Sequence, residues 1–244
     1  MLPNQQLLID SWQLRDDLYR ELFGGYTTVS PSRYAPPQST GERSPDVGGS
    51  SDPGSEDVRL TVLSYAPDPL RPYWTYITAG LSTPWYQDKP LEVSGFGCEM
   101  MIKTTTEANW PAQVLRTMAF YVFNHAGTLS PGVRIALNAP VSIDNASDIR
   151  NLFIWYADEA PDCWYQLPSG GFGIFAAIGI TDDELCYAES IEEYGTWCIE
   201  EVLRQTGHGQ ISDPERKSVM DRANINTVLD NVKIFADNFR AGGF

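Results

Sequence analysis

Tyr73-Trp74-Thr75-Tyr76-Ile77-Thr78-Ala79-Gly80-Leu81-Ser82, with Ser94-Gly95-Phe96-Gly97-Cys98-Glu99 soon after it, decides how this chain is read. Aromatic and β-branched residues fill the first stretch, and Trp74, Tyr76 and Thr78 share one face at a period of two, so it predicts a strand. Gly80 ends the run where the backbone needs freedom that a Cβ denies. The second stretch enters another strand through Gly95 and Gly97 and sets Glu99 among apolar neighbours. A carboxylate beside Phe96, Cys98, Met100 and Met101 costs free energy to bury unless something pairs it. Lys103, on the same strand face, is the expected partner in a structural ion pair, and a general acid with a raised pKa is the alternative.

Working outward, strands are expected at 58–65, 73–81 and 94–104. Asn109-Trp110-Pro111 opens a helix with proline in the first turn, where its missing N–H does no harm. Val114, Leu115, Met118, Ala119 and Val122 form the apolar stripe of that helix. Further strands are expected near 133–137 and at 149–156. Gly170-Gly171 leads into 172–180, a run apolar enough to be buried on both faces. Thr181-Asp182-Asp183-Glu184 reads as a capping box, with one or two helices over 182–205. Asp213-Pro214 is expected to start the last helix.

Upstream, residues 5–23 predict an amphipathic helix stopped by Gly24-Gly25. Segment 36–56 interleaves Pro and Gly with Ser and acids, a composition that predicts a flexible linker or loop. Strands without regular helical crossovers argue for an α+β domain, a mixed β-sheet flanked by helices.

Composition limits what the chain can do. Its 244 residues, 42% hydrophobic with seven Trp, suffice for a sizeable core. The formal charge of -15 repels phosphate backbones, so no nucleic-acid partner is expected, and a basic protein surface is favoured. Cys98, Cys163, Cys186 and Cys198 form no CxxC pair and read as buried small hydrophobes in a reducing compartment. With only His125 and His208 besides, no metal site and no cofactor are expected. Acidic residues interrupt the N-terminus, and no apolar run approaches the roughly 18 residues of a membrane span. A soluble, cytoplasmic protein is the expectation.

Several fragments are similar to catalytic motifs. Gly95-Phe96-Gly97 and Gly171-Phe172-Gly173 do not complete GxGxxG before a helix, and strand-entry glycines account for both. Asp182, Asp183 and Glu184 are explained by their place at a helix start, where negative charge complements the helix dipole. Trp74, Tyr76, Trp110, Trp155 and Trp164 are expected mostly in the core. Trp85-Tyr86, in a Pro-flanked loop, is the candidate for a partly exposed anchor.

These residues together resemble the suppressor of fused family. Pro72, Trp74, Tyr76, Thr78, Gly80, Leu81 and Ser82 match one of its motifs; Ser94, Gly95, Phe96, Gly97 and Glu99, followed by Lys103, match a second. Trp110, Pro111, Ala112, Leu115, Ala119, Tyr121, Val122 and Phe123 resemble a third. Gly171, Phe175, Gly179, Thr181, Glu184 and Leu185 resemble a fourth. The resemblance covers about residues 60–205 and implies a division into an N-terminal helix and extension (1–35), the linker (36–56) and a suppressor-of-fused-like domain with C-terminal helices (57–244).

The resemblance implies protein binding without catalysis. Animal members clamp a peptide of the Gli transcription factors between their N-terminal half and a second domain, for which this chain is expected to leave no room. A tyrosine on the helix and an acid after a following glycine help form that contact. Tyr121 matches the first, whereas Val133 follows Gly132 in place of the acid. Single-domain bacterial members look like immunity or regulatory proteins, which implies a partner such as a basic toxin or a regulatory protein. An enzyme using Glu99 with a neighbouring acid, and a structural assembly module, are the competing readings.

Overall fold

The computed structural model describes residues 5–32, 60–85, 87–126, 129–142, 147–191 and 193–241. The expected linker at 36–56 lies outside the described residues. Helix α1 (Gln5–Phe23) ends before Gly24, whose φ of 79° belongs to the left-handed region that stops helices. Strands β1 (Thr28–Ser32), β2 (Leu60–Tyr65), β3 (Trp74–Ala79) and β4 (Val93–Thr104) follow. Next come α2 (Trp110–Tyr121), running into a π-helical turn, then β5 (Arg134–Ala136), β6 (Asn151–Tyr156), β7 (Tyr165–Leu167) and β8 (Gly170–Ile180). Helices α3 (Asp182–Glu189), α4 (Gly195–Gln205) and α5 (Ile225–Ala241) close the chain.

The strands form one sheet in the order β1-β2-β3-β4-β8-β6-β5, with β7 pairing the start of β8. Every pairing is antiparallel except β4 with β8, at the centre of the sheet. This is the mixed α+β fold that the pattern of elements predicts. Strand β8 is buried along its whole length, as its continuous apolar run requires. Alternate residues of the strands feed two cores. Leu63, Ile77, Met101, Phe153, Ile174 and Ile178 face α1, α3, α4 and α5. Val62, Tyr76, Met100, Leu152, Ile154 and Ala177 face α2. The result is three layers with the sheet in the middle.

The structure corrects several expectations. Pro214 starts no helix: a short turn at Val219–Asp221 precedes α5, which begins at Ile225. The expectation of one or two helices over 182–205 holds, with two, α3 and α4. Two strands, β1 in the upstream extension and the three-residue β7, were not expected at all. Only Trp110 of the tryptophans is buried; Trp12, Trp74, Trp85, Trp155 and Trp197 are half-buried, and Trp164 is exposed. Two of the four cysteines, Cys163 and Cys186, are exposed, whereas Cys98 and Cys198 are buried, and all four are free thiols. Burial, with the charge of Glu99, pushes the Cys98 thiol up to about 12.

Candidate partner-binding face

Glu99 is fully buried, and its carboxylate anchors backbone. Oε1 accepts from the N–H groups of Gly80 and Ser82 at 2.9 Å each and from the Ser82 hydroxyl at 2.6 Å. Oε2 accepts from Thr78 Oγ1 at 2.5 Å, and that hydroxyl oxygen accepts the Met100 N–H. The β3–β4 ladder stops at Ile77↔Met101, and the carboxylate holds the Gly80–Ser82 turn in its place. The two glycines of the second motif make this possible. Between Val93↔Gly171 and Cys98↔Gly173, β4 advances five residues while β8 advances two (98 − 93 against 173 − 171). That bulge passes through Gly95 and Gly97 at φ of 56° and 69°. A Cβ on Gly95 would lie 2.4 Å from the Thr83 carbonyl oxygen.

The expected Glu99–Lys103 pair does not form. Lys103 Nζ sits 2.9 Å from both carboxylate oxygens of Glu159 and 2.8 Å from Gln210 Oε1, and the Tyr73 hydroxyl donates to the same Glu159. The cation nearest Glu99 is Arg15 on α1, with Nη1 at 3.9 Å. Burial alone would pull the Arg15 guanidinium down, but the charges of Glu99, Tyr19 and Asp16 more than offset this and hold it above its ordinary value. Strand alternation offered Lys103; it gave no signal for Arg15, which only the docking of α1 brings in.

The fourth motif is also a staple. The capping box of α3 forms, with Glu184 Oε2 accepting from the Thr181 N–H at 2.9 Å. Glu184 has no exposed surface, and Arg216 holds it bidentately at 2.6 and 2.7 Å. Arg216 also donates to the Gly179 carbonyl, and the Gly179 N–H donates to Ser212 Oγ. Arg216 was missed because no local pattern marks a cation in an irregular loop.

Tyr76 and Trp74 stack at 6.5 Å, and the Tyr76 hydroxyl accepts from the Ala108 N–H, fixing the approach to α2. Phe96 packs on Phe123 at 5.3 Å. Trp110 and Pro111 occupy the buried first turn of α2. Trp85 turns inward through its indole N–H, which donates to the Gly80 carbonyl at 2.8 Å. Tyr86 lies outside the described residues.

Tyr121 is half exposed, at the C-terminal end of α2. It borders an apolar groove of about 640 Å³ between α2 and β5, lined also by Thr117, Met118, Val133, Ile135 and Leu137. Strand β5 ends the sheet order, so among the described residues its outer edge has no partner strand. Val133 C=O accepts from the Ile154 N–H of β6, and Leu137 N–H donates to the carbonyl of Arg150 just before it. Antiparallel alternation therefore turns the N–H and C=O groups of Arg134 and Ala136 outward. The Arg134 side chain donates to the Ala188 carbonyl at 2.8 Å.

A family model described as Suppressor of fused protein (SUFU) matches residues 56–217. The chain belongs to the suppressor of fused family. Helices α1 and α5 lie outside the matched stretch. The Suppressor of fused homolog of Homo sapiens is 27% identical over 146 residues, which cover 54% of this chain and 28% of that protein. The Mus musculus homolog matches over the same shares. This chain thus spans little more than a quarter of these curated relatives. Among solved structures, Drosophila Suppressor of Fused superposes with a TM-score of 0.59 at 20% identity, covering 73% of this chain and 46% of that one. A suppressor of fused protein homolog from Neisseria gonorrhoeae gives 0.57 at 15% identity, covering 88% and 100%. A chain of a solved Sufu–Fu complex also gives 0.57, at 20% identity, covering 71% and 81%. These structural likenesses establish the shared suppressor of fused fold. Among the described residues, no helix is long and apolar enough to cross a membrane.

Proposed function

We propose that this chain is a non-enzymatic protein-binding domain that takes an extended segment of its partner along β5. The outward N–H and C=O groups of Arg134 and Ala136 would pair with the segment's backbone, and alternate partner side chains would enter the groove beside Tyr121. The unpaired edge of β5 beside an apolar groove is the single observation that carries this reading. The Sufu–Fu complex supports it as a fold relative solved with a partner. In the finer reading, binding neutralises or regulates a basic toxin or regulatory protein, in the manner of an immunity protein. The enzyme reading rests on Glu99, whose oxygens are already taken by four donors of this chain, leaving little with which to act on a substrate.

The test partner is the product of any toxin-like reading frame found beside this gene, purified together with the chain. Tyr121→Ala removes the aromatic rim. Ala136→Pro removes one outward N–H that β6 does not use. Each is expected to weaken binding by about tenfold or more while the fold persists by circular dichroism. Undiminished binding in both variants would move the interface off β5.

A further inference from the structure

Where β4 and β8 run together, glycines leave the α2 side of the sheet without side chains of its own. Alternation puts Gly171 and Gly173 on the same side as Phe175, which faces α2. Trp164 precedes β7, which pairs with β8 along the flank opposite β4. Its indole crosses β8: a Cβ on Gly171 would overlap Nε1, and one on Gly97 of β4 would lie 3.6 Å from Cη2. The indole therefore fills the space that a side chain at Gly171 would need. The Phe175 ring covers Gly173 in the same way, and Tyr156, opposite it on β6, meets that ring edge-on at 6.2 Å. Phe175 is buried, but Trp164 and Tyr156 are 47% and 45% exposed. Among the described residues, no aromatic ring pairs with Trp164 and no cation sits over it.

An indole held on backbone, with its remaining surface in water, is a preformed π-surface that loses little freedom when a ligand covers it. Tryptophan is also the best aromatic partner for a cation. The charge around this one has a single sign. Residues 90–99 and 155–175, which carry the platform, include Glu92, Glu99, Asp158, Glu159 and Asp162 and neither Lys nor Arg. Glu99 faces Arg15, and Asp158 and Glu159 face Lys103. Glu92 and Asp162 are exposed and form no ion pair among the described residues. Asp162 stands two residues from Trp164, and the Glu92 carbonyl accepts the N–H of Gly171 beneath the indole. An open indole in acidic surroundings suits arginine, whose planar guanidinium stacks on an aromatic face while its N–H groups reach carboxylates.

The aromatic row also leads back to the β5 groove. Val133, in the groove wall, accepts the Ile154 N–H, and Tyr156 follows one alternation later on the same side of β6. We propose that Trp164 is an arginine-binding platform, taking a guanidinium of a basic protein partner on its exposed surface beside Asp162 and Glu92. Tyr156 and Trp164 then form the second contact of the partner that lies along β5. That link rests on the reading of β5 given above, whereas the arginine site does not.

The full chain is titrated by NMR with a blocked peptide of alternating glycine and arginine. The control is the same peptide with citrulline, which keeps the shape and removes the charge. The Trp164 indole N–H signal, assigned by its loss in Trp164→Leu, is expected to shift saturably with the arginine peptide and not with the citrulline one. Trp164→Leu is expected to weaken arginine-peptide binding about fivefold, and Trp164→Tyr to hold it within about twofold, which separates a lost platform from a lost fold. An unmoved Trp164 signal, equal binding of the citrulline peptide, or full affinity in Trp164→Leu would each overturn the site. Tyr121→Ala and Ala136→Pro are expected to leave this titration unchanged. If those two variants also bind the co-purified toxin-like product normally, the β5 reading fails and the arginine site stands.

Discussion

A carboxylate cut off from water must be held by donors or it destabilises the fold, and Glu99 meets that condition with two backbone amides, two hydroxyls and a guanidinium at 3.9 Å. Gln at this position would turn an amide N–H₂ towards groups that themselves donate. Glu99→Gln is therefore expected to lower unfolding stability by about 3–5 kcal/mol, read as a shift in the denaturant midpoint. A variant as stable as the parent would sink the anchoring role and reopen a catalytic one. The need for a partner was legible from Glu99 and its apolar neighbours, but the partner's identity was not. Period-2 alternation reports what lies along a strand; it cannot report that the turn after β3 folds back onto the carboxylate, or that α1 lays Arg15 beside it.

At the scale of elements, local chemistry was legible wherever it was self-contained. Gly24 stops α1, Pro111 opens α2 and Thr181 with Glu184 caps α3, and each rests on contacts within a few residues. The start of α5 was misplaced because residues 213–219 are held by a distant partner: Arg216 and the Val219 N–H both bind Glu184. Asp183 gives this cap a pH signature. Burial would raise its carboxyl, but donors from Ser218, Thr181 and the Glu184 N–H outweigh burial and hold it below the usual carboxylate range. A depressed folded pKa adds stability that is present above the unfolded value and is lost as pH falls through the folded one. Stability of the parent chain should therefore fall more steeply below about pH 4 than that of Asp183→Asn, as followed by urea midpoints across the acid range. Parallel slopes would mean that the cap does not depend on this charge.

For the molecule as a whole, the charge of -15 sets a field that outlasts any single contact. Toward the basic partner proposed above it would be attractive, and it is screened over roughly 10 Å at 0.1 M salt. The association rate with such a partner should fall about tenfold between about 20 and about 200 mM salt, with a smaller change in dissociation. Stopped-flow measurement decides the matter: a rate that ignores salt would remove electrostatic steering and leave the β5 edge and its groove as the source of binding.

The amino-acid order alone determined what depends on neighbours in sequence: the long strands by alternation, the helix ends by glycine, proline and caps, the fully buried β8 by its unbroken apolar run. It also determined the acidic surface and, through four ordered motifs, the family. Only the tertiary structure decided which strands meet, that β5 ends the sheet with Arg134 and Ala136 turned outward, and that Glu99, Lys103 and Glu184 find Arg15, Glu159 and Arg216. Those choices depend on how three layers close around two cores, and side chains far apart in the chain become neighbours only when that packing is complete.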